Sequence, residues 1–312
     1  MATSGSVDFT VTRDNLINLA YQHIGVVGEG EDATSDQITE AALLLNMLVK
    51  ARHTDGMPLW ALKRGFILPL TGVSSMTVGS SHAVTTYVTT TLTADSAASD
   101  TTLTVDSITG ITASDVIGVE LDSGVMFWTT VSGSPSGSTV TLAAGVTTAA
   151  SSGNRIYTYA TSTRITRPLK ILSANTLTPA DDISGPVEVI TNERYYALTN
   201  RTEATGVVQL YYDPQLTGVF YFWPRFTGGD EIVEITYHRP YEDFDATGDN
   251  PDFPQHWYLA LMLELAWILS AKSSVPPEER ASLFKEAQFY IELARQADYE
   301  TGSIYLGPEY YA

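Results

Sequence analysis

The stretch PQHWYLALMLELAWILSAKSSVPPEERASLFKEAQFYIELARQADYETG, residues 254–302, decides how the chain is read. Its first part is apolar on nearly every side, and from Trp257 to Ile268 only Glu264 carries a charge. A helix with no solvent stripe must be covered all round, by its own chain or by a neighbour. Trp257, Leu261, Leu265, Trp267 and Ile268 are the candidate residues for packing against another subunit. The second part opens with Pro276-Pro277 and carries Glu278 and Glu279 in its first turn. Proline geometry and negative charge both suit a helix N-terminus. Leu283, Phe284, Ala287, Tyr290, Ile291 and Ala294 then form one apolar stripe. Helices are expected over 255–271 and 277–300, with a tail over 301–312. That tail keeps Ile304, Tyr305, Leu306, Tyr310 and Tyr311 where terminal segments usually turn polar. Large aromatics there imply a surface to cover them, on this chain or on a partner.

The other end of the chain is also helical. Leu16, Leu19, Ala20, His23 and Ile24 share a face, which predicts a helix over 12–25 ended by Gly25. Thr34 with Gln37 makes a capping-box pattern, opening a helix over 34–55 that carries Ile38, Ala41, Leu44, Leu45 and Leu48. The short polar loop between them predicts an antiparallel hairpin.

Between these helices the chain reads as β. Residues 63–70 look like a strand, and runs at 187–191, 207–212, 218–223 and 231–238 are rich in β-branched and aromatic residues. From 71 to 163 the composition shifts to Thr, Ser, Gly and Ala, with no Lys and with Arg155 as the single Arg. Alternating apolar residues persist there, separated by turns such as Asp122-Ser123-Gly124, so the stretch reads as a small β module and not as a linker. The expected architecture is α+β. A helical bundle, made of the N-terminal hairpin and the C-terminal helix pair, joins a β-sheet region at 164–240. An all-β barrel or sandwich at 71–163 is inserted into that core of 1–70 and 164–312.

Charge narrows the partners. The net charge is −19, and the acidic excess is greatest over 241–312, with 13 acidic against 4 basic residues. Gripping nucleic acid through its phosphates needs clustered Lys and Arg, so this is excluded, although an acidic wall could surround DNA without holding it. The absence of cysteine excludes disulfides and thiolate metal sites. No apolar run approaches the roughly 20 residues of a membrane helix, and the N-terminus carries no signal-peptide pattern. The expectation is a soluble protein made in the cytoplasm.

No catalytic set emerges. The histidines at 23, 53, 82, 238 and 256 have no metal-ligand spacing, and no serine elbow is present. Gly25, Gly28 and Gly30 follow a helix and sit among Glu29, Glu31 and Asp32, which would repel a phosphate. Asp95, Asp100, Asp106, Asp115 and the pair Asp181-Asp182 read as turn carboxylates. Phe220, Tyr221, Phe222 and Trp223 could form a sugar platform, against the plainer reading of a strand with one core face. Neither an enzyme, a cofactor nor a metal is expected.

The order of elements resembles a known family. The helical N-terminus, YYDPQLTGVFYFWPRF, PQHWYLALMLELAWILS and FKEAQFYIELARQADYETGSI are similar to the head-to-tail adaptors (connectors) of short-tailed phages, the tail-tubular-protein-A-like family. The resemblance covers the N-terminal helices and about 185–312, and the Thr-rich stretch departs from the shortest members. It implies a virion structural protein of the tail or neck, assembled in the host cytoplasm. It implies a homo-oligomeric ring, commonly of twelve copies, docked on the portal protein. The tail would reach the portal, the β region would meet the next tail component (nozzle or tail hub), and DNA would pass without sequence-specific binding. Another tail-completion or decoration protein, or a carbohydrate-binding module using 220–223, are the alternatives.

Overall fold

The computed structural model describes residues 5–54, 58–80, 82–179 and 183–298. The chain divides into two compact units: Met1–Ala61 with Tyr241–Ala312, and Leu62–Pro240.

The first unit is helical. Helices α1 (Arg13–His23) and α2 (Ser35–Ala51) start on threonine caps, and Thr34 with Gln37 closes a full capping box. Two further helices of this unit come late in the chain, after the short α3 (Asn192–Tyr196) of the other unit. They are α4 (Tyr258–Ser270) and α5 (Pro277–Ala297). Helix α4 packs against α1, α2 and α5, which is why it needs no polar face. Leu16, Ile17, Leu45, Leu261, Leu265 and Ile291 meet in one core. The single charge in α4, Glu264, is matched across this core by Arg52, whose Nε donates at 3.0 Å. An uncompensated charge at that depth would cost several kcal/mol, so the pair aligns α2 with α4.

A second polar knot closes the unit. Asp298, at the end of α5, is 8% exposed. It accepts hydrogen bonds from the indoles of Trp60 at 3.0 Å and Trp257 at 2.5 Å, and its other oxygen lies 3.1 Å from His256 Nε2. Around it, Trp60, Tyr241 and Phe253 pack ring against ring at about 5 Å.

The second unit is built on an eight-stranded sheet. Its strands are β1 (Leu62–Ile67), β2 (Ser75–Thr77), β3 (Ala83–Val84), β10 (Lys170–Thr178), β11 (Ile183–Val189), β12 (Gln209–Asp213), β13 (Val219–Trp223) and β14 (Ile232–His238). They run in the order β2-β13-β12-β11-β10-β14-β1-β3. Pairing is antiparallel except between β11 and β12, which α3 connects. Inside the curl lie Leu210, Phe220, Phe222, Phe226, Ile235 and Tyr237.

Between β3 and β10 come β4 (Val88–Thr91), β5 (Thr102–Thr104), β6 (Val116–Glu120), β7 (Met126–Thr130), β8 (Thr139–Thr141) and β9 (Arg155–Tyr159). They form a four-stranded sheet, β4-β9-β6-β7, and a pair, β5-β8. Bridges Leu92↔Val105 and Val131↔Leu142 close these into a ring of strands around Leu103, Val119, Val140 and Ile156. Trp128 lies across its partner Gly118, where an added Cβ would come within 2.7 Å of the ring.

The architecture is thus mixed α/β, with five α-helices among the described residues and a curled eight-stranded sheet, and the expected helical bundle with a small inserted all-β module is corrected. Two observations overturn it. Strands β2 and β3 lie inside 71–163, yet they are the two edges of the large sheet. Strands β4–β9 also share a buried layer with it, in which Val116, Met126, Tyr157 and Tyr159 pack with Leu68, Val84 and Ile232. Tyr157 further donates to the Gly229 carbonyl at 2.6 Å. The shift to Thr and Ser marks solvent-facing strand positions and not a domain boundary.

Replacing Asp298 with Ala removes the acceptor of the buried Trp257 indole N–H, so the unfolding free energy should fall by about 1–3 kcal/mol in urea titrations. Asp298→Asn, which keeps one acceptor oxygen, should lose less.

Candidate functional site

The residues with catalytic potential are all engaged in structure. His53 Nε2 accepts from the Tyr241 amide at 3.0 Å, His256 meets Asp298, and His238 is buried in β14. His82 stacks on Trp128 at 3.9 Å between ring centroids, and its Nδ1 lies 2.8 Å from the Tyr159 hydroxyl. His23 faces Glu286 at 3.9 Å. Asp95, Asp100, Asp115 and Asp122 each accept a backbone N–H at 2.7–2.8 Å and brace turns between the strands β4–β9. The Asp181-Asp182 pair lies outside the described residues. Gly25 and Gly30 adopt φ of +71° and +81°, the left-handed geometry that a turn after α1 requires. Among the described residues no group of three or more His, Asp or Glu is arranged to hold a metal ion.

The aromatic strand splits as its period of two dictates. Phe220 and Phe222 point into the core and are fully buried. Tyr221 and Trp223 face the other way, where Tyr221 stacks on Tyr211 and packs against Tyr195 of α3. The Trp223 indole donates to the Asn200 carbonyl at 2.7 Å. Helix α3 therefore occupies much of the surface that a sugar ring would need.

Of the residues assigned to subunit packing, Trp257, Leu261 and Leu265 are buried in the unit's own core. Trp267 and Ile268 are half-buried, and Trp267 packs against Phe284 of α5 at 5.0 Å. The tail residues Ile304, Tyr305, Leu306, Tyr310 and Tyr311 lie outside the described residues.

Surfaces that the sequence reading passed over are the more notable. Helix α2 buries Ala41, Leu45, Leu48 and Val49, yet on the reverse face Leu43 and Met47 are each 58% exposed. Helix α5 buries Ala287, Ile291 and Ala294, yet Phe289 and Leu293 are 63% and 54% exposed. Both pairs are spaced i,i+4, so each makes a ridge on the side of its helix turned from the core. The available signal was this apolar pair within an otherwise polar stripe. Single exposed apolar residues are ordinary, whereas paired ones on two helices of a strongly acidic chain point to contact surfaces.

No family model matches the chain, and no curated protein matches it.

Burial, and secondarily the charge of Arg164, push the His82 pKa down to about 4. In the unfolded chain the value is about 6.5, so unfolding takes up a proton between these limits. Stability from this group is therefore complete above pH 6.5 and declines as the pH falls toward 4. The stability difference between wild type and His82→Gln, from urea titrations at several pH values, should shrink over that window and level off below it. A difference independent of pH would remove the effect.

Proposed function

We propose that the protein is a head-to-tail adaptor of a short-tailed phage: a virion structural protein, without enzymatic activity, whose copies form a ring on the portal. The observation that carries this reading is the pair of apolar ridges, Leu43–Met47 and Phe289–Leu293, on two different helices of one unit. A surface used by both partners in the same way closes a dimer, whereas two different surfaces meeting head to tail propagate, and close when the rotation allows. The order of sequence elements supports a ring of about twelve copies, by resemblance to the adaptor family. The charge of −19 suits a wall along which DNA slides without being gripped. On this reading the residues Ile304, Tyr305, Leu306, Tyr310 and Tyr311 contact the portal. The β unit meets the next tail component, a nozzle or tail hub.

Negative-stain images and light-scattering masses of the purified protein, alone and with portal, test the reading. Rings are expected, and Met47→Glu with Leu293→Glu should raise the protein concentration needed for assembly at least tenfold. These side chains are exposed, so the thermal midpoint should move by only a few degrees. Deleting 303–312 should weaken portal binding while leaving that midpoint nearly unchanged. A protein that stays monomeric and ignores portal sinks the proposal.

A further inference from the structure

His82, just before β3, joins the edge of the large sheet to the strands β4–β9. It continues the β1–β3 pairing by one residue, because the Leu68 amide donates to its carbonyl at 3.0 Å. Its imidazole stacks on Trp128 of β7, with ring centroids 3.9 Å apart. The Trp128 indole in turn donates at 3.2 Å to the carbonyl of Pro69, the residue after Leu68. His82, Trp128, Pro69 and Leu68 thus form a closed loop of contacts.

One hydrogen bond of this joint has a fixed direction. A guanidinium has donors and no acceptor, and Arg164 Nη2 lies 3.5 Å from the Tyr159 oxygen. The Tyr159 hydroxyl therefore turns its own proton to His82 Nδ1, 2.8 Å away, and that nitrogen must be bare. A proton on Nδ1 would aim two donors at one oxygen beside a fixed cation, on a tyrosine that is 3% exposed. No carboxylate stands ready to offset the charge. Trp128 faces the imidazole from β7, Tyr159 from β9 and Arg164 from the segment after β9, while β1 meets His82 through backbone. The other charged groups of these strands and of β6 are engaged elsewhere: Glu120 with the Arg155 amide, Arg155 with Asp230, and Arg64 with Glu234. Lys63 lies at the far end of β1.

We propose that this joint is an acid-operated latch: one proton on His82 releases its ring from Trp128 and Tyr159 and frees the β3 edge, while the rest of the chain stays folded. The His82 pKa of about 4 in the closed joint, against about 6.5 once open, makes protonation favour the open form. The open fraction should rise roughly thirtyfold between pH 7.5 and pH 5, and level off below pH 4. The latch lies within the β unit and stands apart from the ring, so it holds whether or not copies assemble.

Amide hydrogen exchange of the full chain at pH 7.5 and pH 5, corrected for the intrinsic chemical rates, is the test. Protection of the Leu68 amide should fall about thirtyfold, whereas Leu45 and Ile291 in the helical unit should change less than about threefold. In His82→Gln the fall at Leu68 should vanish, since glutamine takes up no proton. Tyr159→Phe should reduce it below about tenfold, because the bare nitrogen has lost its donor. A Leu68 protection independent of pH, or the same fall in His82→Gln, overturns the proposal. An equal fall at Leu45 and Ile291 also overturns it, since acid would then be loosening the whole chain.

Discussion

Strands β2 and β3 stand at opposite edges of the eight-stranded sheet, yet only residues 78–82 separate them in sequence. In a flat sheet, seven spacings of roughly 4.8 Å would hold those edges about 34 Å apart. A chain segment of this length reaches only roughly 20 Å even when fully extended. The sheet must therefore curl, and curling creates the interior that Phe220, Phe222, Phe226 and Tyr237 fill. The same constraint governs β4–β9. The chain leaves for these strands after Val84 and returns at Arg164, and those two residues are themselves bridged. Their closed ring is thus held at the sheet edge by both of its chain ends.

The helical unit obeys a different constraint, the need to cover an α4 that is apolar on nearly every side. Three helices pack against it, and the Arg52–Glu264 pair sets how one of them lies. The loop that follows β14 is held to α2 by reciprocal hydrogen bonds between Asn46 and the backbone of Phe244, at 2.9 and 3.1 Å. Lys50 reaches the Tyr241 carbonyl at 2.7 Å. Distant parts of the sequence are thereby fastened before and after the β unit. A unit assembled from the two ends of a chain depends on such fastening, since closing a long loop carries an entropic cost that local contacts do not.

How much of this was legible in the sequence follows from the range of each signal. Helix ends are local events, and Thr34 with Gln37, or Pro276-Pro277 with Glu278, could be read where they stand. Sheet edges are not local. Nothing in Ser75–Thr77 or Ala83–Val84 says that they pair with β13 and β1, so a change of composition at 71 was read as a domain boundary when it was a change of solvent exposure. The all-round apolar α4 was read as needing cover from its own chain or from a neighbour, and α1, α2 and α5 pack against it. The roles of Asp298 and Glu264 are not legible locally, because their partners Trp60, Trp257 and Arg52 are far away in sequence. The ridges were hidden for the opposite reason: each helix was scored for its core stripe, and a second apolar stripe weakens that periodicity.

The charge of the chain gives these ridges their meaning. At physiological ionic strength charges are screened over about 8 Å, so acidic copies scarcely repel one another at a distance. Repulsion is concentrated where surfaces touch, and like charges there cost the most. Copies of a chain with 36 acidic and 17 basic residues can therefore approach most closely where apolar side chains make the contact. Leu43–Met47 and Phe289–Leu293 are such places, with Glu40 and Glu292 at their borders, and each fully covered side chain of this size gains about 1.5–3 kcal/mol. An acidic surface thus limits the ways in which this protein can be joined, and it leaves the apolar ridges as the means.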